Sequence, residues 1–139
     1  MPRSLLKRYK VMKFFKLWVP ALFWCWLIFY LSDIQGLATG WGTWDFILRK
    51  IAHMTEYFIL AFLLYRAFRG SFNLVTFYLI LWSFSLSFLY AVSDEVHQYF
   101  VPTRYGCAED VLIDTIGIIA FFVFLKYKKD FVEKLCPLI

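Results

Sequence analysis

Four apolar runs divide the chain, and each comes close to the roughly 17–25 residues that an α-helix needs to cross a bilayer. They cover about 17–33, 51–68, 74–92 and 111–127. The third is the cleanest: Leu74 to Val92 carries no charge, and Ser83 and Ser87 stand one turn apart as candidate interhelical contacts. The second is apolar from Tyr57 to Tyr65, and the fourth is interrupted near its start by Asp114. The first follows a basic block, as a signal peptide would. Ser32, Asp33, Ile34 and Gln35 offer no small-x-small cleavage site, however, so it reads as an uncleaved span. With 62% of 139 residues apolar and 23% aromatic, the chain has too much apolar surface for a small soluble core to bury. A soluble globular enzyme, a disordered regulator and a disulfide-stapled secreted module are thereby excluded. The expected fold is all-α and polytopic: four transmembrane helices in one bundle, a single domain over residues 1–139.

The formal charge of +5 does not point to nucleic acid, because of where the charges fall. Arg3, Lys7, Arg8, Lys10, Lys13 and Lys16 form one block before the first run, and Lys126, Lys128, Lys129 and Lys134 form another around the end of the fourth. With Arg66 and Arg69, twelve Lys and Arg lie on one side of the expected membrane, against Arg49, Lys50 and Arg104 on the other. The positive-inside rule then puts both termini in the cytoplasm, with anionic lipid headgroups as contacts of the basic blocks. The outer loops run roughly from Asp33 to Lys50 and from Ser93 to Asp110; the first holds Gly36, Gly40, Trp41, Gly42 and Trp44, suited to a turn in the interfacial belt. Cys25, Cys107 and Cys136 are widely spaced and show no metal or redox pattern.

This topology brings polar residues from distant parts of the chain to one depth, the outer leaflet. His53 and Glu56 lie in the first turns of the second span; Ser93, Asp94, Glu95, His97 and Gln98 end the third; Glu109, Asp110 and Asp114 begin the fourth. Of ten acidic residues, only Asp130 and Glu133 fall on the cytoplasmic side. His53 and Glu56 are spaced i, i+3 and Asp110 and Asp114 i, i+4, so each pair shares a helix face. Asp94 and Gln98 do the same if the third helix continues past Asp94. A carboxylate inside a membrane helix costs about 2.5–3.5 kcal/mol on insertion scales, which marks Glu56 and Asp114 as functional candidates.

Three stretches carry a family resemblance: Lys50-Ile-Ala-His53-Met-Thr-Glu56-Tyr57, Ser93-Asp94-Glu95-Val-His-Gln98-Tyr-Phe-Val-Pro102-Thr-Arg104, and Asp110-Val-Leu-Ile-Asp114-Thr-Ile-Gly117. In this order, after a first span ending Leu31-Ser32, they resemble the VanZ-like family of small bacterial integral membrane proteins, named for a low-level teicoplanin resistance determinant. The resemblance implies a fold and a site rather than a reaction. Carried over, the family's polar signature falls on Lys50, His53, Glu56, Tyr57, Asp94, Glu95, Gln98, Pro102, Arg104, Asp110, Asp114 and Gly117. Two positions depart from it. Thr103 stands where the family usually has Gly, and Asp114 where Asn or Asp occurs, which makes this version of the site one charge more acidic.

On these residues a membrane enzyme acting at the outer leaflet is one expectation. His53, Glu56, Asp94, Glu95, Asp110 and Asp114 are then the acid–base candidates, and Lys50, Tyr57, Gln98 and Arg104 bind substrate. No Ser or Cys nucleophile stands beside an obvious base in the sequence, which favours activated water or group transfer. Lipid-linked envelope precursors or phospholipid headgroups are the expected substrates. The excess of carboxylates could recruit a divalent metal, Mg²⁺, Ca²⁺ or, with His53, a Zn²⁺-like ion, although no ligand motif such as HExxH is present. A second expectation is non-catalytic capture of an amphipathic drug, such as a glycopeptide, or of a lipid intermediate. A small ion- or proton-coupled transporter ranks last, since nothing ionisable lies in the inner halves of the spans. Plainer roles stand beside these. Arg104 could clasp Asp94, Glu95 or Asp110, Lys50 could be an interfacial anchor, Pro102 ends the third helix, and Gly117 permits close packing.

Overall fold

The computed structural model describes residues 3–34, 43–101 and 107–135, and almost all of these are helical. The helices are α1 (Arg3–Asp33), α2 (Thr43–Ser71), α3 (Thr76–Phe100), α4 (Ala108–Tyr127) and the short α5 (Lys129–Leu135), with no strand among the described residues. Helices of 31, 29, 25 and 20 residues rise about 1.5 Å per residue, so each of α1–α4 matches or exceeds the roughly 30 Å of a bilayer's hydrocarbon core.

Every helix extends beyond its apolar run. α1 takes in the basic block and continues through Pro20, a residue tolerated where neighbouring helices satisfy the freed backbone. α2 starts at Thr43, so Trp44, Arg49 and Lys50 are helical rather than loop. α3 does continue past Asp94, to Phe100. It stops at Val101, whose extended backbone (φ −84°, ψ 122°) is the conformation imposed on a residue that precedes proline. Glu109 and Asp110 in the first turn of α4 complement its positive end, and Lys126 its negative end. Pro102, Arg104 and the Gly36–Gly42 segment lie outside the described residues.

α2 packs against α1, α3 and α4, and α3 also meets α1 and α4, whereas no described Cα of α1 comes within 8 Å of one in α4. The α2–α3 pair is therefore the centre, flanked by α1 and α4. Cross-helix hydrogen bonds fix the directions. Trp18 Nε1, at the middle of α1, donates to Ser71 Oγ at the end of α2 (2.9 Å), and Ser32 at the end of α1 reaches Asp94 near the end of α3. Lys50 and His53 near the start of α2 meet Asp110 and Asp114 at the start of α4. The helices thus alternate in direction, and α2 and α4 run parallel.

Tyr57, Leu60 and Ala61 of α2 and Ile118 and Phe121 of α4 lie in the core with almost no exposure, and Met54, Phe58, Phe62 and Tyr65 line the α2–α4 seam. Phe121 stands at its centre, with the Phe58, Phe62, Tyr65 and Phe122 rings 5.0–6.0 Å away between centroids. Gly117 makes the seam possible: a β-carbon there would fall inside the van der Waals envelope of the Met54 carbonyl. Ser83 and Ser87 are buried against the neighbouring helices, but each hydroxyl donates to a carbonyl of its own helix, Leu79 O (2.7 Å) and Ser83 O (2.8 Å), rather than across an interface.

The polarity of this bundle is inverted relative to a water-soluble one. Asp114, Asp94, Glu95 and Gln98 are buried, while Leu22, Phe77, Leu89 and Leu112 are each at least 60% exposed. An apolar exterior on this scale suits lipid, not water. By length and composition, α1 from Arg8 and α3 are apolar enough to cross a membrane. α4 carries three acids, Glu109, Asp110 and Asp114, in its first two turns, and α2 is interrupted by Arg49, Lys50 and Glu56.

Candidate functional site

The alternation of helix directions collects one end of all four long helices around a polar cluster. α2 and α4 contribute their first turns, α1 and α3 their last. Because α2 and α4 are parallel, their polar faces align rung by rung. Lys50 Nζ pairs with Asp110 Oδ1 at the partly exposed mouth, and His53 Nδ1 lies 3.3 Å from Asp114 Oδ1 one turn deeper. Gly117 on Met54 closes the seam beneath them. The i, i+4 spacing of Asp110 and Asp114 does put both on one face, yet the two carboxylates serve different partners. His53 is within the electrostatic reach of Glu56, its neighbour on α2, but the group it faces is Asp114 of α4.

A second polar group hangs from α1 and α3. Ser32 Oγ donates to Asp94 Oδ2 (2.9 Å), and Gln98 Nε2 donates to the same oxygen (3.1 Å) and to Ser32 Oγ (3.3 Å). The i, i+4 pairing of Asp94 with Gln98 is thus realised, and a hydroxyl from α1 completes it. Glu95, on the adjoining face, accepts the Cys107 backbone N–H at 2.9 Å through Oε2, which ties the entry of α4 to the end of α3. Glu95 also lies in the field of Asp114, Asp94 and His53, so the two polar groups form one cluster.

What distinguishes this cluster is how many buried polar atoms have no hydrogen-bond partner among the described residues. They include both carboxylate oxygens of Asp114, Asp94 Oδ1, Glu95 Oε1, His53 Nδ1 and the Tyr57 hydroxyl. Asp114 and Tyr57 are 0% exposed. His53 approaches Asp114, but outside the geometry of a hydrogen bond. Buried polar groups are nearly always paired in a folded protein, and orphans concentrated at one place call for a functional explanation. One ligand atom each from His53, Glu95 and Asp114 lies within 4.8 Å of the others, a spacing from which three helices could grip a cation.

Most of the expected residues meet here: Lys50, His53, Tyr57, Asp94, Glu95, Gln98, Asp110 and Asp114. Glu56 is half-buried at the edge of the cluster, and its backbone carbonyl accepts the Trp24 indole N–H (2.9 Å). His97 turns away from Asp94: its ring stacks on Phe29 at 4.2 Å and its Nε2 is 3.8 Å from Asp33. Arg104 lies outside the described residues. Ser32 was missing from the expected site. Its sequence signals are a small hydroxyl residue closing an apolar run and the Leu31-Ser32 ending included in the resemblance, and the structure sets it beside Asp94 as a hydroxyl next to a carboxylate.

The family model described as VanZ/LLP1 matches residues 15–129, a span that takes in α1 from Phe15 onward, all of α2, α3 and α4, and every cluster residue. No curated protein and no solved structure matches the chain significantly.

Proposed function

The chain belongs to the VanZ/LLP1 family, and from that premise we propose that it is a four-span protein of the bacterial plasma membrane acting on an envelope substrate at its outer face. Both termini lie in the cytoplasm, and the cluster opens to the outer leaflet, where it takes the polar head of a lipid-linked or other amphipathic molecule. The observation that carries this reading is the set of orphaned buried atoms around Asp114, at one end of a bundle with an apolar exterior. A structural clasp would pair its charges. This cluster keeps ligand atoms of Asp114, Glu95 and His53 close together, with acceptor atoms that no described residue uses, as a site awaiting a ligand does.

The chemistry available is acid–base. His53 takes a proton from water or a substrate hydroxyl, a neighbouring carboxylate delivers one to the leaving group, and Lys50 with Asp110 frames the mouth. Transport is the weaker reading, because the interior beyond the cluster is closed by Leu60, Leu64, Phe121 and Leu125.

The test is teicoplanin susceptibility of a susceptible Gram-positive host expressing the wild type, Glu56→Gln, Asp94→Asn or Asp114→Ala, with membrane levels measured in parallel. Protection by the wild type that the inserted variants lose is the expected result. Equal protection by all of them reduces the cluster to a clasp. Orientation is checked by labelling intact cells with a membrane-impermeant maleimide. Cys107 is exposed at the cluster end and reacts; failure to react until the cells are opened overturns the topology.

A further inference from the structure

We propose that His53, Glu95 and Asp114, contributed by α2, α3 and α4, bind a divalent transition-metal cation of the zinc type. This rests on the reading of the cluster as the working site and specifies what that site holds; with the ion in place His53 is a ligand, and the role of base passes to Asp94, whose Oδ1 has no hydrogen-bond partner among the described residues. A tetrahedral ion with bonds of about 2.0–2.1 Å sets its ligand atoms about 3.3 Å apart, and His53 Nδ1 stands 3.3 Å from Asp114 Oδ1. With all three ligand atoms within 4.8 Å of one another, Glu95 has to close by no more than about 1.5 Å, a rotamer adjustment rather than a helix movement.

The unspent atoms are those a metal would use. Neither oxygen of Asp114, which is 0% exposed, accepts a hydrogen bond from any described residue, and Glu95 Oε1 and His53 Nδ1 are likewise open. The opposite oxygen of Glu95 is held by the Cys107 N–H, the kind of outer contact that orients a ligating carboxylate. Asp94, fixed by Ser32 and Gln98, and the Tyr57 hydroxyl stand around the trio as outer partners. Charge points the same way. Two carboxylates in a dry site balance a divalent cation, whereas Lys50 is engaged by Asp110. The imidazole selects against Mg²⁺ and Ca²⁺, which prefer all-oxygen shells, and in favour of Zn²⁺ and its neighbours. Three protein ligands leave a coordination position for water or an anionic oxygen of a bound headgroup, the arrangement of catalytic rather than structural zinc.

The full chain, purified in detergent, stripped with chelator and confirmed monodisperse and helical, is titrated with Co²⁺ and then Zn²⁺. The expected result is a visible Co²⁺ absorption that saturates at one ion per chain and is bleached by Zn²⁺. His53→Ala and Glu95→Gln lose more than about 100-fold in affinity, Asp94→Asn loses about 10–100-fold, and Glu109→Gln, at an exposed position outside the trio, is unchanged. If His53→Ala does not fold, the isosteric Glu95→Gln and Asp114→Asn carry the comparison. A wild type without a saturable signal overturns the proposal, as does undiminished binding in folded trio variants. Should the wild type bind no metal while Asp94→Asn still abolishes protection from teicoplanin, the metal fails and the site stands. If the variants also protect, both readings fall.

Discussion

Asp114→Asn isolates the cost of the site from its use. The carboxylate is fully buried and neither oxygen is hydrogen-bonded by a described residue. Leaving a buried polar group unsatisfied costs about 1–3 kcal/mol, and more for a charged one. Even whole buried ion pairs can often be replaced by well-packed hydrophobic residues of similar volume at no cost or with a gain of about 1–4 kcal/mol, because desolvating charge is so expensive. Asparagine keeps the shape and adds a donor. Its amide N–H₂ can reach towards Glu95 Oε1, which is also orphaned, while its oxygen remains available to His53. In metal-stripped protein, Asp114→Asn should therefore be more stable than the wild type by about 1–3 kcal/mol. Reversible unfolding in mixed detergent micelles, followed by far-ultraviolet circular dichroism, measures the difference. Adding Zn²⁺ at about 1,000 times its dissociation constant stabilises the wild type by about 4.1 kcal/mol and the variant far less, so the ranking reverses. An Asn variant no more stable than the wild type in chelator would refute the reasoning, because it would mean that the charge of Asp114 is already compensated, with His53 as imidazolium.

Three further outcomes follow from the same geometry. Gly117→Ala puts a methyl against the Met54 backbone, which cannot rotate away, and should destabilise the protein by about 1–3 kcal/mol in the same unfolding assay despite alanine's better helix propensity. Ser32→Ala removes a donor to Asp94 and an acceptor for Gln98, and should cost about 0.6–1.7 kcal/mol, the range for polar contacts between membrane helices. Lys50 and Asp110 are 23% and 24% exposed, so a double-mutant cycle of Lys50→Met with Asp110→Asn should give a coupling of only about 0.2–1 kcal/mol that weakens with salt.

The helices and the polar end of the bundle were legible in the sequence because both depend on spacing along one chain. Apolar runs of spanning length mark the helices, and alternating direction alone carries His53, Asp94 and Asp114 to a common depth. Pairings across helices were not legible, because they depend on rotation about each helix axis. The i, i+3 relation suggested Glu56 as the partner of His53, whereas the parallel register of α2 and α4 supplies Asp114. Lys50, which also reads as a membrane anchor, meets Asp110 through the same register. Ser83 and Ser87 sit on a buried face as their spacing implies, but a serine in a helix can always turn its hydroxyl back on the preceding turn, and these two do. Ser32 carried too little local signal. Its importance comes from where α1 ends relative to Asp94, and only the assembled bundle shows that.

The contact of Gly117 with the Met54 carbonyl also decides where the protein can yield. Two backbones in contact leave no slack, so α2 and α4 behave as one solid wall. α1 is attached differently. Its backbone stays clear of α4, and side-chain hydrogen bonds pin it at intervals to its neighbours: Trp18 to Ser71, Trp24 to the Glu56 carbonyl, Tyr90 to the Cys25 carbonyl, and Ser32 to Asp94. Of these pins, the one at the cluster end, Ser32 with Asp94, is also the one that borders the site. A guest large enough to need room would find it by undoing that fastening, together with the Gln98–Ser32 hydrogen bond and the contacts of His97 with Phe29 and Asp33, and swinging the end of α1 outward into lipid, with the wall behind the site staying in place.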